Sequence, residues 1–182
     1  MDHALLSKTV SHALRHQPDT YGFELDSEGW VDVDTLLKAL RQSSAQWANV
    51  SETDLAAMIQ SSAKQRHELV GGRIRARYGH SVPNRISRDG KNPPEVLYHG
   101  TSREAAAKIL SEGLNPMNRQ SVHLAPDENT AREVGRRKDV NPVILLVRAR
   151  EAFQAGVSFY EGNSMVWLAD HVPPIFISPV SE

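Results

Sequence analysis

Arg15 and His16 stand side by side at the end of the first predicted helix, a permanently charged planar donor next to a group able to hydrogen-bond or move a proton. Cations are also favoured at a helix C-terminus by its dipole, so the pair by itself is equally consistent with helix termination. Lys64 and Arg66 follow, and then Arg73, Arg75 and Arg77 alternate with Ile74, Ala76 and Tyr78. On a strand, three alternating arginines share one face at about 7 Å intervals, which suits a run of phosphates. Positive charge is also a common protection of an edge strand. His99 follows an apolar strand in LYHGT, and Arg119 and His123 lie four apart in MNRQSVHL. His12 and His16 have a spacing that can share a metal on a helix, but Ala13 occupies the place of a zincin's Glu and no third ligand is evident. There is no G-x-G-x-x-G, no Walker loop and no G-x-S-x-G elbow, which argues against Rossmann, P-loop and Ser hydrolase chemistry.

The chain has 182 residues, with 21 Lys plus Arg, 22 Asp plus Glu, 8 His and no Cys. That length makes one domain or two small ones. With 40% hydrophobic and 24% charged residues the composition is that of a globular protein. Without cysteine there are no disulfides, thiolate metal sites or Cys nucleophile. The first residues, MDHALLSKTVSHALRH, are too polar for a signal peptide, and the longest apolar run, Val143–Val147, is far below the ~20 residues that span a bilayer. A cytoplasmic protein is expected. A formal charge of −1 hides a strong asymmetry: residues 19–54 carry a net −6 and residues 64–91 a net +6. A basic segment of this strength is compatible with nucleic acid binding, and equally with a solvated face.

The elements that must position these residues change character along the chain. Leu6, Val10, Ala13 and Leu14 have helical spacing over 4–16, and Pro18 ends that helix. An acidic turn leads to Trp30, and Asp34 is expected to cap a short helix carrying Leu36, Leu37 and Leu40. Ser51-Glu52-Thr53-Asp54 predicts a capping box for a third helix. Two runs around Gly71-Gly72 predict a hairpin, so the order of elements is that of a winged helix. Residues 79–95 hold three Pro and two Gly with no apolar period, the best linker in the chain, and place a boundary near Asn92. Beyond it, strands are expected at 96–98, 122–124, 143–147, 165–168 and 175–177. One helix is expected from a Thr101–Glu104 capping box to Gly113, and another begins at Pro126-Asp127. The mixture predicts an α+β fold.

Taken in order, LSKTVSHALRH, DSEGWVDVDTLL, KQR, IRA, GHS, LYHGTS, ILSEGL, MNRQSVHLA and VWLADHVPP resemble the RNA 2′-phosphotransferase family from Leu6 to Ile177. The best known members of that family remove the splice-junction 2′-phosphate from tRNA. The resemblance implies a winged-helix RNA-binding lobe over 1–91 and an ADP-ribosyltransferase-like NAD-binding lobe over 92–182. It implies NAD consumed as co-substrate and an RNA partner carrying a 2′-phosphate; no metal, no membrane, no obligate protein partner and a monomer are the accompanying expectations. The family's Arg–His–Arg–Arg set carries over onto Arg15, His16, Arg66 and Arg119 as catalytic residues. Lys64, Arg73, Arg75, Arg77, His80 and Ser81 are the expected RNA and phosphate contacts. His99, Gly100, Thr101, His123, Asn163 and Val166 are the expected NAD contacts. Of these, His99, His123 and Val166 match the three signature positions of the transferase fold, and Gly100 and Thr101 are expected to admit the adenylate end of NAD. His16 is expected either to ligate the phosphate or to act as acid or base.

This chain departs from the family at three flanks: His67 where an aromatic often follows KxR, Arg77-Tyr78 in place of an Asn-Gln pair, and Met165 where Gly is usual. These bear on RNA preference and NAD affinity more than on the tetrad. Two other classes compete with the transferase reading. A winged-helix DNA-binding regulator would cleave no NAD, and an ADP-ribosyltransferase that stops at modification would have no need of the RH and KQR elements.

Overall fold

A computed structural model describes residues 1–180. The chain divides into two units, Met1–Arg88 and Asp89–Glu182, and the division falls inside the Pro- and Gly-rich segment.

In the first unit, α1 (His3–Arg15) starts at Asp2, whose carboxylate accepts from the Ala4 and Leu5 N–H groups. Leu6, Val10, Ala13 and Leu14 form its fully buried stripe. Helix α2 (Val33–Ser43) begins one residue after Asp32, and Asp34 is therefore not its cap. Asp34 lies in the first turn instead, where its charge favours the dipole. The predicted capping box is present on α3 (Glu52–Ser61): the Ser51 N–H donates to Asp54, and the Asp54 N–H donates to Ser51. Strands β1 (Trp30–Asp32), β2 (His67–Val70) and β3 (Arg73–Ala76) form an antiparallel sheet in the order β1-β3-β2. Gly71 and Gly72 have φ of 58° and 73°, the left-handed pair that a two-residue hairpin turn requires. Ile74 and Ala76 point into the core from the central strand, leaving Arg73 and Arg75 on its other face. The segment after β3 has no periodicity, yet its first ten residues are packed: His80, Val82 and Ile86 are buried, and the Ser87 N–H donates to the Ser27 carbonyl.

In the second unit, β4 (Leu97–Thr101), β6 (Val143–Val147) and β9 (Ile177–Pro179) form one antiparallel sheet in the order β4-β6-β9. Strands β5 (Val122–Leu124), β7 (Phe159–Asn163) and β8 (Val166–Ala169) form another in the order β5-β8-β7. The two meet where Tyr98 and Ala125 exchange backbone hydrogen bonds of 2.9 and 2.8 Å. Helices α4 (Arg103–Glu112), α5 (Glu128–Gly135) and α6 (Ala149–Gln154) complete the unit. Helix α4 is capped by Ser102, one residue later than expected, because Thr101 is still buried in β4. The strand expected at 175–177 is a short 3₁₀ turn, Pro174–Phe176, with β9 beginning at its end: Pro174 fixes a helical φ at the first position. The α+β expectation holds in that the elements are mixed and the sheets are small and antiparallel.

Candidate active site

The last turn of α1 presents Arg15 and His16, and three other segments hold them. The Arg15 guanidinium lies 5.0 Å over the Tyr78 ring and donates to the Arg66 carbonyl at 3.4 Å. The Tyr78 hydroxyl donates to the Lys64 carbonyl at 3.4 Å, so one side chain links the KQR turn to the RH pair. A Cβ at Gly79, where φ is +89°, would stand 3.4 Å from the Arg15 terminal nitrogen. The Ser81 N–H donates to the Arg15 carbonyl at 2.9 Å, and its hydroxyl is 2.8 Å from His16 Nδ1. The buried His80 is held from Arg88, whose guanidinium donates to His80 Nδ1 at 3.1 Å and to the Arg77 carbonyl at 2.5 Å. The structure thus brings Arg15, His16, Lys64, Arg66, His80 and Ser81 into one network. Arg15, His16 and Arg66 also line a single cavity of about 620 Å³.

His67, the residue after Arg66, is buried with Nε2 3.0 Å from the Ser11 hydroxyl. Burial, and then the charges of Arg15 and Arg66, push its pKa down to about 3. Burial and then Arg88 do the same to His80, also to about 3. Both are neutral at pH 7 and lie below the ordinary value of 6.5. Between about pH 3 and 6.5 the unfolded chain therefore binds more protons than the folded one, and stability falls as the pH falls through that window. Each histidine contributes a slope of at most about 1.4 kcal/mol per pH unit. Urea unfolding should show this acid loss, and His67→Phe should lower the slope by up to about 1.4 kcal/mol per pH unit. A slope untouched by the substitution would contradict the burial of a neutral His67.

The arginine row on β3 is not an open face. Arg73 is ion-paired to Asp26 at 2.5 Å, with Asp32 at 4.0 Å, and Arg75 is paired to Glu68 at 2.8 Å. Both guanidiniums also lie over Trp30, at 5.7 and 4.3 Å from the ring centroid. Arg77 lies beyond the strand, its N–H bonded to the Arg66 carbonyl. Part of the −6 and +6 asymmetry read from the sequence is therefore neutralised inside the first unit. His12 is engaged with the Tyr21 hydroxyl at 3.2 Å.

In the second unit, His99 on β4 and His123 on β5 are joined by a 3.0 Å hydrogen bond from His99 Nδ1 to the His123 carbonyl. A carbonyl can only accept, so His99 carries its proton on Nδ1. Burial holds its pKa below the ordinary value, opposed by that same hydrogen bond. Arg119 donates to His123 Nδ1 at 2.8 Å, which leaves the His123 proton on Nε2. Two imidazoles of fixed tautomer and one guanidinium form a continuous chain. Val166 opens β8, and the buried Asn163 accepts from the Met165 N–H at 2.9 Å across the tight β7–β8 turn. Thr101 is buried at the end of β4. Where Gly100 lacks a Cβ stands the Ala131 carbonyl of α5, only 1.8 Å from the position that a Cβ would take. Helix packing thus accounts for that glycine.

Sequence reasoning missed Tyr78 and His67 as members of the first network and read them only as departures. A further signal lies in the backbone. Among the described residues, the two non-glycine residues of positive φ, Gln65 at 34° and Met117 at 57°, sit one before Arg66 and two before Arg119. Such conformations cost of order 1–3 kcal/mol and cluster at functional sites.

The first unit ends its first helix in an arginine–histidine pair held by the KQR and GHS segments, and the second carries histidines on neighbouring strands. The chain belongs to the RNA 2′-phosphotransferase, Tpt1 / KptA family, whose model matches residues 2–171. It is 52% identical over 177 residues, 97% of each chain, to a probable RNA 2′-phosphotransferase of Acetivibrio thermocellus. It is 53% identical to one from Bacillus thuringiensis subsp. konkukian, over 95% of this chain and 93% of that one. Identity is 36% to a third, from Archaeoglobus fulgidus, over 94% of this chain and 78% of that one. The protein is therefore an enzyme of the transferase class. Among the described residues no helix is long and apolar enough to cross a membrane.

Proposed function

We propose that this enzyme removes an internal RNA 2′-phosphate by transferring it to NAD in two steps. A phosphate oxygen attacks the anomeric carbon of the nicotinamide riboside, and the carbon–nitrogen bond breaks with its electron pair leaving on nicotinamide. The adjacent ribose hydroxyl then gives up its proton and attacks phosphorus. The RNA 2′-oxygen leaves and takes a proton, giving 2′-OH RNA and ADP-ribose 1″,2″-cyclic phosphate. In this reading the first unit is a winged-helix RNA-binding lobe and the second an ADP-ribosyltransferase-like lobe.

The observation that carries the proposal is the cavity shared by Arg15, His16 and Arg66, whose lining includes no carboxylate. A phosphate that serves first as nucleophile and then as electrophile must be held in one pose, and guanidinium forks do this bidentately. Arg119 is the fourth residue of the family's set, and within the second unit it is bonded to His123. In the second unit His99 and His123 have fixed tautomers, and by the family resemblance Val166 matches the signature position where protein-modifying transferases of this fold commonly carry Glu. A phosphate is already anionic and needs no such base. With Arg73 and Arg75 committed to carboxylates and His80 buried, Lys64 and Ser81 are the stronger RNA contacts of the expected set.

The test is the dependence of nicotinamide release on the RNA. With NAD and a 2′-phosphorylated oligonucleotide, nicotinamide should form in a one-to-one ratio with RNA converted. The same oligonucleotide with a 2′-OH should release none, and equal release from both would refute the proposal.

A further inference from the structure

We propose that the groove along α1 is a binding subsite for the ribose–phosphate backbone of single-stranded RNA flanking the 2′-phosphate, with Lys8 as its distal anchor. The inference rests on the 2′-phosphotransferase reading and adds to it the path of the polynucleotide.

The cavity that contains Arg15, His16 and Arg66 does not end at them. Its wall is one continuous face of α1, positions 3, 4, 7, 8, 11, 12, 15 and 16, the repeat that keeps side chains on one side of a helix. The opposite wall comes from Met58, Ser61 and Ser62 at the end of α3. At 1.5 Å per residue, Lys8 lies about 10 Å along the axis from Arg15, roughly the rise of three stacked nucleotides. A single 2′-phosphate does not need a groove of this length. A short run of backbone does.

The chemistry of the lining selects an anionic, hydroxyl-bearing occupant. Lys8, Arg15 and Arg66 supply positive charge, His12 and His16 supply ring nitrogens, and Ser11 and Ser62 supply hydroxyls, while the Ser61 hydroxyl donates to the Met58 carbonyl. No Asp or Glu lines the cavity. The contrast with β3 is decisive. There each arginine meets a carboxylate, whereas among the described residues Lys8 makes no ion pair and is exposed. A protein that neutralises phosphates with unpaired cations gains affinity by releasing counterions, and Lys8 has that form.

The experiment compares two substrates on the full chain: a 2′-phosphorylated dinucleotide, too short to reach Lys8, and a 2′-phosphorylated single-stranded octanucleotide with the phosphate near its middle. The readout is the ratio of their KM values. Lys8→Glu should raise the octanucleotide-to-dinucleotide KM ratio about tenfold, and Lys8→Ala should lower the salt slope of octanucleotide binding by about one. Lys38→Glu, the same charge change on the exposed side of α2, should leave the ratio unchanged. Binding of the octanucleotide without its 2′-phosphate, read by fluorescence anisotropy, should weaken in Lys8→Glu to the same extent. An unchanged ratio, or an equal change from Lys38→Glu, would overturn the subsite. If wild-type enzyme turned over neither substrate, the 2′-phosphotransferase reading would be the one to fail. The anisotropy arm would still decide the groove: weakening in Lys8→Glu supports it, and no change refutes it.

Discussion

Arg66→Ala and Arg119→Ala enzymes are expected to accumulate ADP-ribosylated RNA, because each loses more of the second step than of the first. In the proposed first step the phosphate is the nucleophile. Guanidiniums would position it, but they would also draw off the charge that drives its attack, so their net benefit would be limited. In the proposed second step the same phosphorus is the electrophile, and negative charge would grow on its oxygens towards the transition state. Only interactions that strengthen in the transition state accelerate a step. Losing one such donor typically costs on the order of 10²–10³ in rate. Arg66 follows Gln65, whose φ is 34°, and Arg119 is held by its bond to His123. Single-turnover assays that resolve substrate, intermediate and product would read the partition. Both variants blocked entirely before nicotinamide release, with no intermediate at any time, would assign these arginines to the first step.

The largest stability effect is expected at Gly100. A Cβ there would stand 1.8 Å from the Ala131 carbonyl oxygen and 2.7 Å from its carbon, and 3.1 Å from the Gly135 nitrogen. These are backbone atoms of α5, and no side-chain rotation relieves them. Gly135 is equally confined, with its own missing Cβ facing Pro142 at 2.6 Å. Two glycines thus set the close approach of β4 and α5, and β4 carries His99. Gly100→Ala should destabilise the second unit by at least about 3 kcal/mol, above the common range for overpacking, because the helix must move as a body. At roughly 4–8 °C per kcal/mol for a unit of this size, the melting temperature should fall by more than about 12 °C. A variant that melts as wild type but binds NAD more weakly would show that the glycine serves ligand approach instead.

Local signals were legible in the sequence and tertiary ones were not. The α1 stripe, the Ser51–Asp54 capping box, the Gly71-Gly72 turn and the Gly113 stop of α4 each depend on residues within a few positions of one another, and each stands where expected. Strand β1 escaped because three residues, Trp-Val-Asp, show no alternation; its pairing with β3 defines it. Strand β7 escaped because Glu161 and Gly162 interrupt its apolar character. Arg73 and Arg75 share a strand face as expected while Arg77 lies beyond the strand, and the Arg73 partner is distant: Asp26 is 47 residues away. Packing of residues 79–88 was invisible for the same reason, since the Arg15 carbonyl that anchors Ser81 and the Ser27 carbonyl that anchors Ser87 come from far upstream. The candidate site was legible only as a resemblance over ordered motifs. Spacing alone leaves Arg15 and His16 as an ordinary helix end, and it is Tyr78, Gly79 and Ser81 that turn the pair into a positioned one.

In the proposed reaction the phosphate itself moves from RNA to ADP-ribose, and a radioactive phosphorus at the RNA 2′-position can be followed through a complete reaction with NAD. All of the label is expected in ADP-ribose 1″,2″-cyclic phosphate, with the RNA recovered as its 2′-OH form. Label released as inorganic phosphate, or retained on the RNA at completion, would contradict it.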